Sequence, residues 1–340
     1  MNSKTTALVF AFASMLAPTV SQATIYRVNS VPAFATTCST CYQTLVGAIA
    51  QAIDGDTIHL EPADANYGDA TIGVRLVIIG AGYKLGVSPN NDSLQANTQS
   101  SKVNMITLNP GSEGTWLMGL HFANSNGGIT LNTTSEIQIK RNFFDGEGIV
   151  FASGSTVADV TVAENYFAGA GFTNSSNTQT ISNLTIRNNI MSGQISIGDA
   201  GDVVSNTVVT NNTFNYNGNH VLINAEIAYN VFNVGGVTGT NLTVHDNISA
   251  GALPAGSNND VVTMGNVFNL LVGTDDSKWN IVDSSPYDED EVEARGAFSG
   301  ISPYKLSGIP AIPTIYTLQS TLNTSPGGTV NVTLSTRSNN

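Results

Sequence analysis

Five carboxylates, Asp145, Glu147, Glu164, Asp199 and Asp202, are the best group of acids that the middle of this chain can bring together. Two acids within about 9.5 Å of each other can hydrolyse a glycosidic bond, one protonating the leaving oxygen while the other activates water or attacks the sugar. Acids that hold calcium beside a Lys or Arg base could instead drive elimination next to a uronate. Either chemistry needs these residues to converge from different turns. Asp275 and Asp276 form a second, adjacent pair, and the isolated His59, His121, His220 and His245 read as surface or turn residues.

Other chemistries lack their residues. Leu76-Val-Ile-Ile-Gly80-Ala-Gly82 starts like a dinucleotide fingerprint, but the third Gly falls at 86 rather than 85 and Val-Ser-Pro-Asn-Asn follows where a helix is needed. Gly-x-Ser-x-Gly, His-Glu-x-x-His and the phosphate loop do not occur. Cys38 and Cys41 are the chain's two cysteines and stand either as a local disulfide or as two free thiols. Redox or zinc roles would need a βαβ setting or two further ligands nearby.

The elements that position these residues come from a repeat. Short apolar strands end in Asn, one variable residue and usually Phe, at Asn142, Asn165, Asn189, Asn212, Asn230, Asn247 and Asn266, with spacings of 23, 24, 23, 18, 17 and 19 residues. Each repeat holds strands of about 4 to 6 residues with period-two alternation and no room for a crossover helix. Stacked about 4.8 Å apart, such repeats complete one another's backbone hydrogen bonds and align equivalent side chains in columns. The Asn column reads as a structural ladder, each amide bonding to the same amide one repeat away. Two residues earlier the column is Lys140, Ala163, Arg187, Thr210, Ala228, His245 and Met264; four earlier it is Gln138, Thr161, Thr185, Val208, Glu226, Thr243 and Val262, too irregular for an ice-binding Thr row. Arg141 and Glu164 are expected to make an exposed ion pair worth about 0 to 1 kcal/mol.

This repeat resembles the Asn-containing repeats of right-handed parallel β-helix proteins, the superfold shared with pectate lyases, polygalacturonases and phage tailspikes. An amphipathic helix candidate at 44–53, the strand Asp54-Gly-Asp-Thr-Ile-His-Leu60 and the strand ending Ile-Gly-Ala-Gly82 follow in the order common to many secreted members. The resemblance covers about residues 25 to 270. It implies an all-β fold, a right-handed parallel β-helix (solenoid) with an N-terminal capping helix and a C-terminal β-hairpin, and says little about activity. Asp275-Asp276 resembles the paired aspartates of polygalacturonase-like hydrolases, but that family's Asn-x-Asp, Gly-His-Gly and Arg-x-Lys elements are not found in matching order.

Residues 1–23 read as a signal peptide, with Lys4, an apolar stretch from Ala7 to Ala17 and a small-residue site before Thr24. Residues 24–308 then form the parallel β-helix, with a capping segment at 24–56, and 309–340 a Pro connector and a strand pair that closes the last repeat. The acidic run Tyr287-Asp-Glu-Asp-Glu-Val-Glu293 reads as a solvated loop. A net charge of −13 argues against nucleic acid, and no later stretch approaches the roughly 20 apolar residues of a membrane span. The expectation is a secreted, non-catalytic extracellular or cell-surface protein that contacts polysaccharide or other surface components. The alternative is a polysaccharide lyase or glycoside hydrolase acting on an acidic polysaccharide, with calcium as a cofactor only for the lyase and none otherwise.

Overall fold

The computed structural model describes residues 23–86, 94–169, 171–174, 178–198, 201–271, 273–282, 285, 295–322 and 329–339. The signal-peptide reading of 1–22, Asp199 and the acidic run at 287–293 lie outside them. Among the described residues the chain is mostly β. Three parallel sheets, of 13, 9 and 5 strands, account for most of it. The chain runs through Gln138–Lys140 in the longest sheet, Phe143–Phe144 in the nine-stranded sheet and Ile149–Phe151 in the five-stranded sheet, then re-enters the longest at Thr156–Ala163. One repeat pairs in register with the next, Gln138 with Thr161 and Thr161 with Thr185.

Period-two alternation sends every second residue inward. Ile139, Val162, Ile186, Val209, Ile227 and Val244 form one buried column of the main core. Phe122, Phe144 and Phe167 form another, their rings nearly parallel with centroids 4.6 and 4.4 Å apart. Repeat spacing shortens where a turn disappears: Asn219–Ala228 and Gly236–His245 are single long strands where earlier repeats use two.

From Arg141 onward, seven corners beside the longest sheet are a left-handed residue followed by an Asn. Arg141, Glu164, Asn188, Asn211, Tyr229, Asp246 and Asn258 have φ of 52° to 59°. The backbone N–H and Nδ2 of Asn142 both donate to Asn165 Oδ1, at 2.9 and 3.1 Å, and the same double bond repeats through Asn189, Asn212, Asn230 and Asn247. The last rung is Asn259, not Asn266: Asn247 donates to Asn259 Oδ1, and Asp260–Val261 pairs with Ile248–Ser249. Asn266 is exposed at the end of a 3-10 turn, Met264–Asn266. The strand signal Val-Thr-Met before it is therefore part of a different path, and the true rung follows Asn247 after only 12 residues.

A second, exposed ladder crosses the same sheet six residues before the corner Asn of each of its repeats. Asp159, Asn183, Asn206, Asn224 and Asn241 are all left-handed, and amides donate from Asn183 to Asp159, from Asn206 to Asn183 and from Asn241 to Asn224 at 2.8 to 3.1 Å.

The helix expected over 44–53 covers only Leu45–Ile49, capped by Thr44 Oγ1 accepting from the Gly47 N–H at 3.1 Å. It places Leu45 and Ala48 in the main core. The buried Asp56 carboxylate ties down the turn that follows it, accepting the Ile53 and Thr24 N–H groups at 2.8 and 2.7 Å. Cys38 and Cys41 are joined in a disulfide. No helix among the described residues is long and apolar enough to cross a membrane.

The strand pair expected to close the last repeat lies away from it, and the described chain beyond that repeat leaves the stack. It returns along the outside of the nine-stranded sheet, because the variable residue of Asn-x-Phe points outward and is usually apolar. Phe143, Tyr166, Ile190, Val231 and Ile248 make an apolar outer face, and Phe268, Trp279, Ile281, Ala297 and Tyr304 cover it in a second core. The hairpin of Thr314–Leu322 and Val330–Arg337 thus sits beside the early repeats, where Ala96 N–H donates to Ile315 O at 2.8 Å and Arg337 to Leu94 O at 2.9 Å.

Candidate functional site

Of the acids singled out in the sequence, Glu164 and Asp202 are taken up by structural contacts. Glu164 is nearly enclosed: Arg141 Nε donates to its Oε2 at 2.7 Å and Ser302 Oγ to its Oε1 at 2.8 Å. Arg141 also donates to Ile309 O at 3.0 Å, so the pair expected on the surface lies under the returning segment. Asp202 is occupied by a turn, accepting the Gln179 N–H at 3.0 Å and the Asn174 amide at 2.5 Å. Asp145 is exposed and Glu147 partly so. Among the described residues no three His, Cys, Asp or Glu side chains are grouped to hold a metal.

Asp275 and Asp276 diverge. Asp275 pairs with Lys84 at 2.6 Å, and that contact holds its carboxyl below the usual range. Asp276 is fully buried and accepts from Thr274 Oγ1, Tyr304 OH and the Ser307 and Ser277 N–H groups. Tyr304 in turn bonds the buried Tyr83 hydroxyl, and burial pushes both phenols well above 10.0. This network fastens the returning segment.

The histidines also divide. His220 is 1% exposed, not a surface residue, with Nδ1 accepting the Ile195 N–H at 3.0 Å and Phe214 against its ring. Burial lowers its pKa to about 3. His121 bonds Ser100 Oγ at 2.9 Å and is lowered, chiefly by burial, to about 4. His245 stays near the surface between Asp246 and Glu226, at 2.6 and 3.2 Å, and the Asp246 contact raises its pKa.

What remains open is the outer face of the longest sheet. Trp116 is 42% exposed there, beside Gln138 in register, in a trough of about 600 Å³ also lined by Glu136, Asp159, Thr161, Asn183 and Thr185. A second trough of about 490 Å³ continues along the same face past Val208, Glu226 and Thr243. Lys140 Nζ lies 5.3 Å from the centre of a Trp116 ring. Arg187 stands two strands from Lys140, across Ala163, so the two cations are roughly 10 Å apart. Neither has a carboxylate partner among the described residues, and Arg187 bonds only the Asn188 amide oxygen, at 3.3 Å. Half-burial, then the nearby Arg187, lowers the Lys140 pKa.

Lys140 and Arg187 were legible as a column, but Trp116 was not, because its repeat carries no Asn. Gly119 takes the left-handed corner with φ of 69°, and Leu120 stands in the ladder position, its N–H donating to Asn142 Oδ1 at 2.9 Å. A flat face with a stacking ring, amides, hydroxyls and two free cations can bind an extended polar chain.

No family model, no curated protein and no solved structure matches this chain.

Proposed function

We propose that this protein is a secreted right-handed parallel β-helix that acts without catalysis at the cell surface or outside the cell, contacting glycans through the outer face of its longest sheet. The observation that carries this reading is the half-exposed Trp116 in the trough, with Lys140 at its ring and Gln138 and Thr161 beside it. An indole presents a broad apolar face to the C–H side of a sugar ring, while neighbouring amides and hydroxyls meet its hydroxyl groups. Lys140 and Arg187, free of acid partners, favour a glycan that carries carboxylate or sulfate. Export is supported by the leader-like residues 1–23, the glycan class by the superfold resemblance, and the non-catalytic role by the divergence of Glu164, Asp202, Asp275 and Asp276.

Purified residues 24 to 340 are to be passed over immobilised neutral and acidic polysaccharides, with products assayed in parallel with calcium or chelator. Saturable retention that falls at least tenfold in Trp116→Ala is the expected result. Unsaturated products or new reducing ends would replace this reading with a lyase or a hydrolase. No retention on any polysaccharide would remove the glycan.

A further inference from the structure

A cleft of about 410 Å³ opens where the returning chain crosses the early repeats, within the range of small-molecule sites. Ala81 forms its floor, and Ile312, Pro313, Ile315 and Leu318 its other wall. That wall is held in place. Tyr83 N–H donates to Ser307 O at 2.9 Å, Ala96 N–H to Ile315 O at 2.8 Å, and Arg337 to Leu94 O at 2.9 Å. Prolines 310 and 313 stiffen the connector between these ties, since each fixes its own φ. The cavity is therefore formed before any ligand arrives.

Four polar side chains line it, and two of them are engaged, Asn97 Oδ1 by the Gln99 N–H at 3.0 Å and Thr314 Oγ1 by the Asn339 amide at 3.0 Å. His59 alternates outward from the strand Asp56–Leu60, and its ring makes no hydrogen bond to any described residue. Burial, its largest influence, lowers its pKa, so near neutral pH the ring offers one donor and one acceptor. Gln95 spends its amide N–H on Ala81 O at 2.6 Å, and its oxygen accepts from no described residue. Among the described residues, no Lys, Arg, Asp or Glu lines the cleft. An ionised ligand would lose its hydration there without gaining a counter-charge. A hydrocarbon alone would leave His59 unpaired.

We infer that the cleft binds a neutral, mostly apolar small molecule that carries one hydroxyl, amine or carbonyl group, with His59 as the hydrogen-bonding anchor. The site is separate from the trough at Trp116, and neither depends on the other. It gives the connector at 309–313 a role beyond joining two units, because its apolar side chains form one wall of the site.

The test uses N-phenyl-1-naphthylamine, a neutral apolar dye with a single N–H, titrated into the whole secreted chain and followed by fluorescence. One saturable site per chain is expected, weakened about tenfold in His59→Phe and abolished in Ile312→Trp, whose indole would fill the cavity. Leu318→Trp, at a position already 58% exposed, repeats the blockade without disturbing packing. Val332→Ser with Leu334→Ser removes exposed apolar surface from the hairpin and is expected to leave binding unchanged, as is Trp116→Ala. Absence of dye binding would overturn the inference. So would binding that survives both tryptophans, or binding lost with the hairpin serines, which would mark adsorption to an exposed face.

Discussion

Arg141 Nε donates to Glu164 Oε2 at 2.7 Å, and the two side chains are only 12% and 3% exposed. They are neighbours in one corner column, and their enclosure comes from residues more than 130 positions away, Ser302 and Ile309. Breaking a buried pair by removing one partner costs about 3 to 5 kcal/mol, because the other charge stays buried alone. Glu164→Ala is expected to lower the thermal midpoint and to expose residues 295–309 to limited proteolysis. Arg141→Met with Glu164→Leu is expected to recover most of the loss. Wild-type protease resistance in Glu164→Ala would contradict the clamp.

The Asn ladder and its false rung separate cleanly. Asn189 Oδ1 accepts two N–H groups of Asn165, and its own amide bonds Val162 O, Arg187 O and Asn212 Oδ1. Asn189→Ala is expected to cost at least about 1 to 3 kcal/mol through the buried groups left unpaired. Asn266→Ala, in an exposed turn, is expected to stay within about 0.5 kcal/mol. Thermal melts of the two variants, side by side, decide it.

Acid is expected to weaken the fold through His220 and His121. Their folded pKa values of about 3 and about 4 lie below the ordinary 6.5. The unfolded chain therefore takes up protons first as pH falls below 6.5, and stability declines until the folded values are reached. Each group contributes up to about 1.4 kcal/mol per pH unit within its window. Thermal midpoints measured from pH 7 to pH 4 are expected to fall. His220→Asn, whose Oδ1 can accept the Ile195 N–H in place of Nδ1, is expected to flatten the dependence, and an unchanged slope would locate the effect elsewhere.

Asp275 and Asp276 offer a direct contrast. Asp276→Ala removes the acceptor of the Ser307 N–H and one of the two partners of the Tyr304 hydroxyl in the second core, and is expected to release the returning segment. Asp275→Asn loses one partly exposed ion pair with Lys84 and is expected to change stability by at most about 1 kcal/mol. Equal effects from the two would mean that they act together, as a catalytic pair does.

The alternation of Ile139, Val162 and Ile186 with polar neighbours, and the return of Asn every 17 to 24 residues, determined parallel strands in register and an Asn column, because both are local patterns whose period is the structure's own period. The Asn-x-Phe motif even carried the sign of a second buried face in its apolar middle residue. Three things were decided only by the tertiary structure. Asn259 is the last rung because strand pairing at Asp260–Val261 sets it, whatever the spacing of other Asn residues. Trp116 joins the face of Lys140 because a Gly and a Leu substitute for the corner pair. Glu164 is covered by a segment that folds back over more than 100 residues, driven by the apolar side chains of Phe143, Tyr166 and Ile190, and no short-range pattern encodes where such a segment lands.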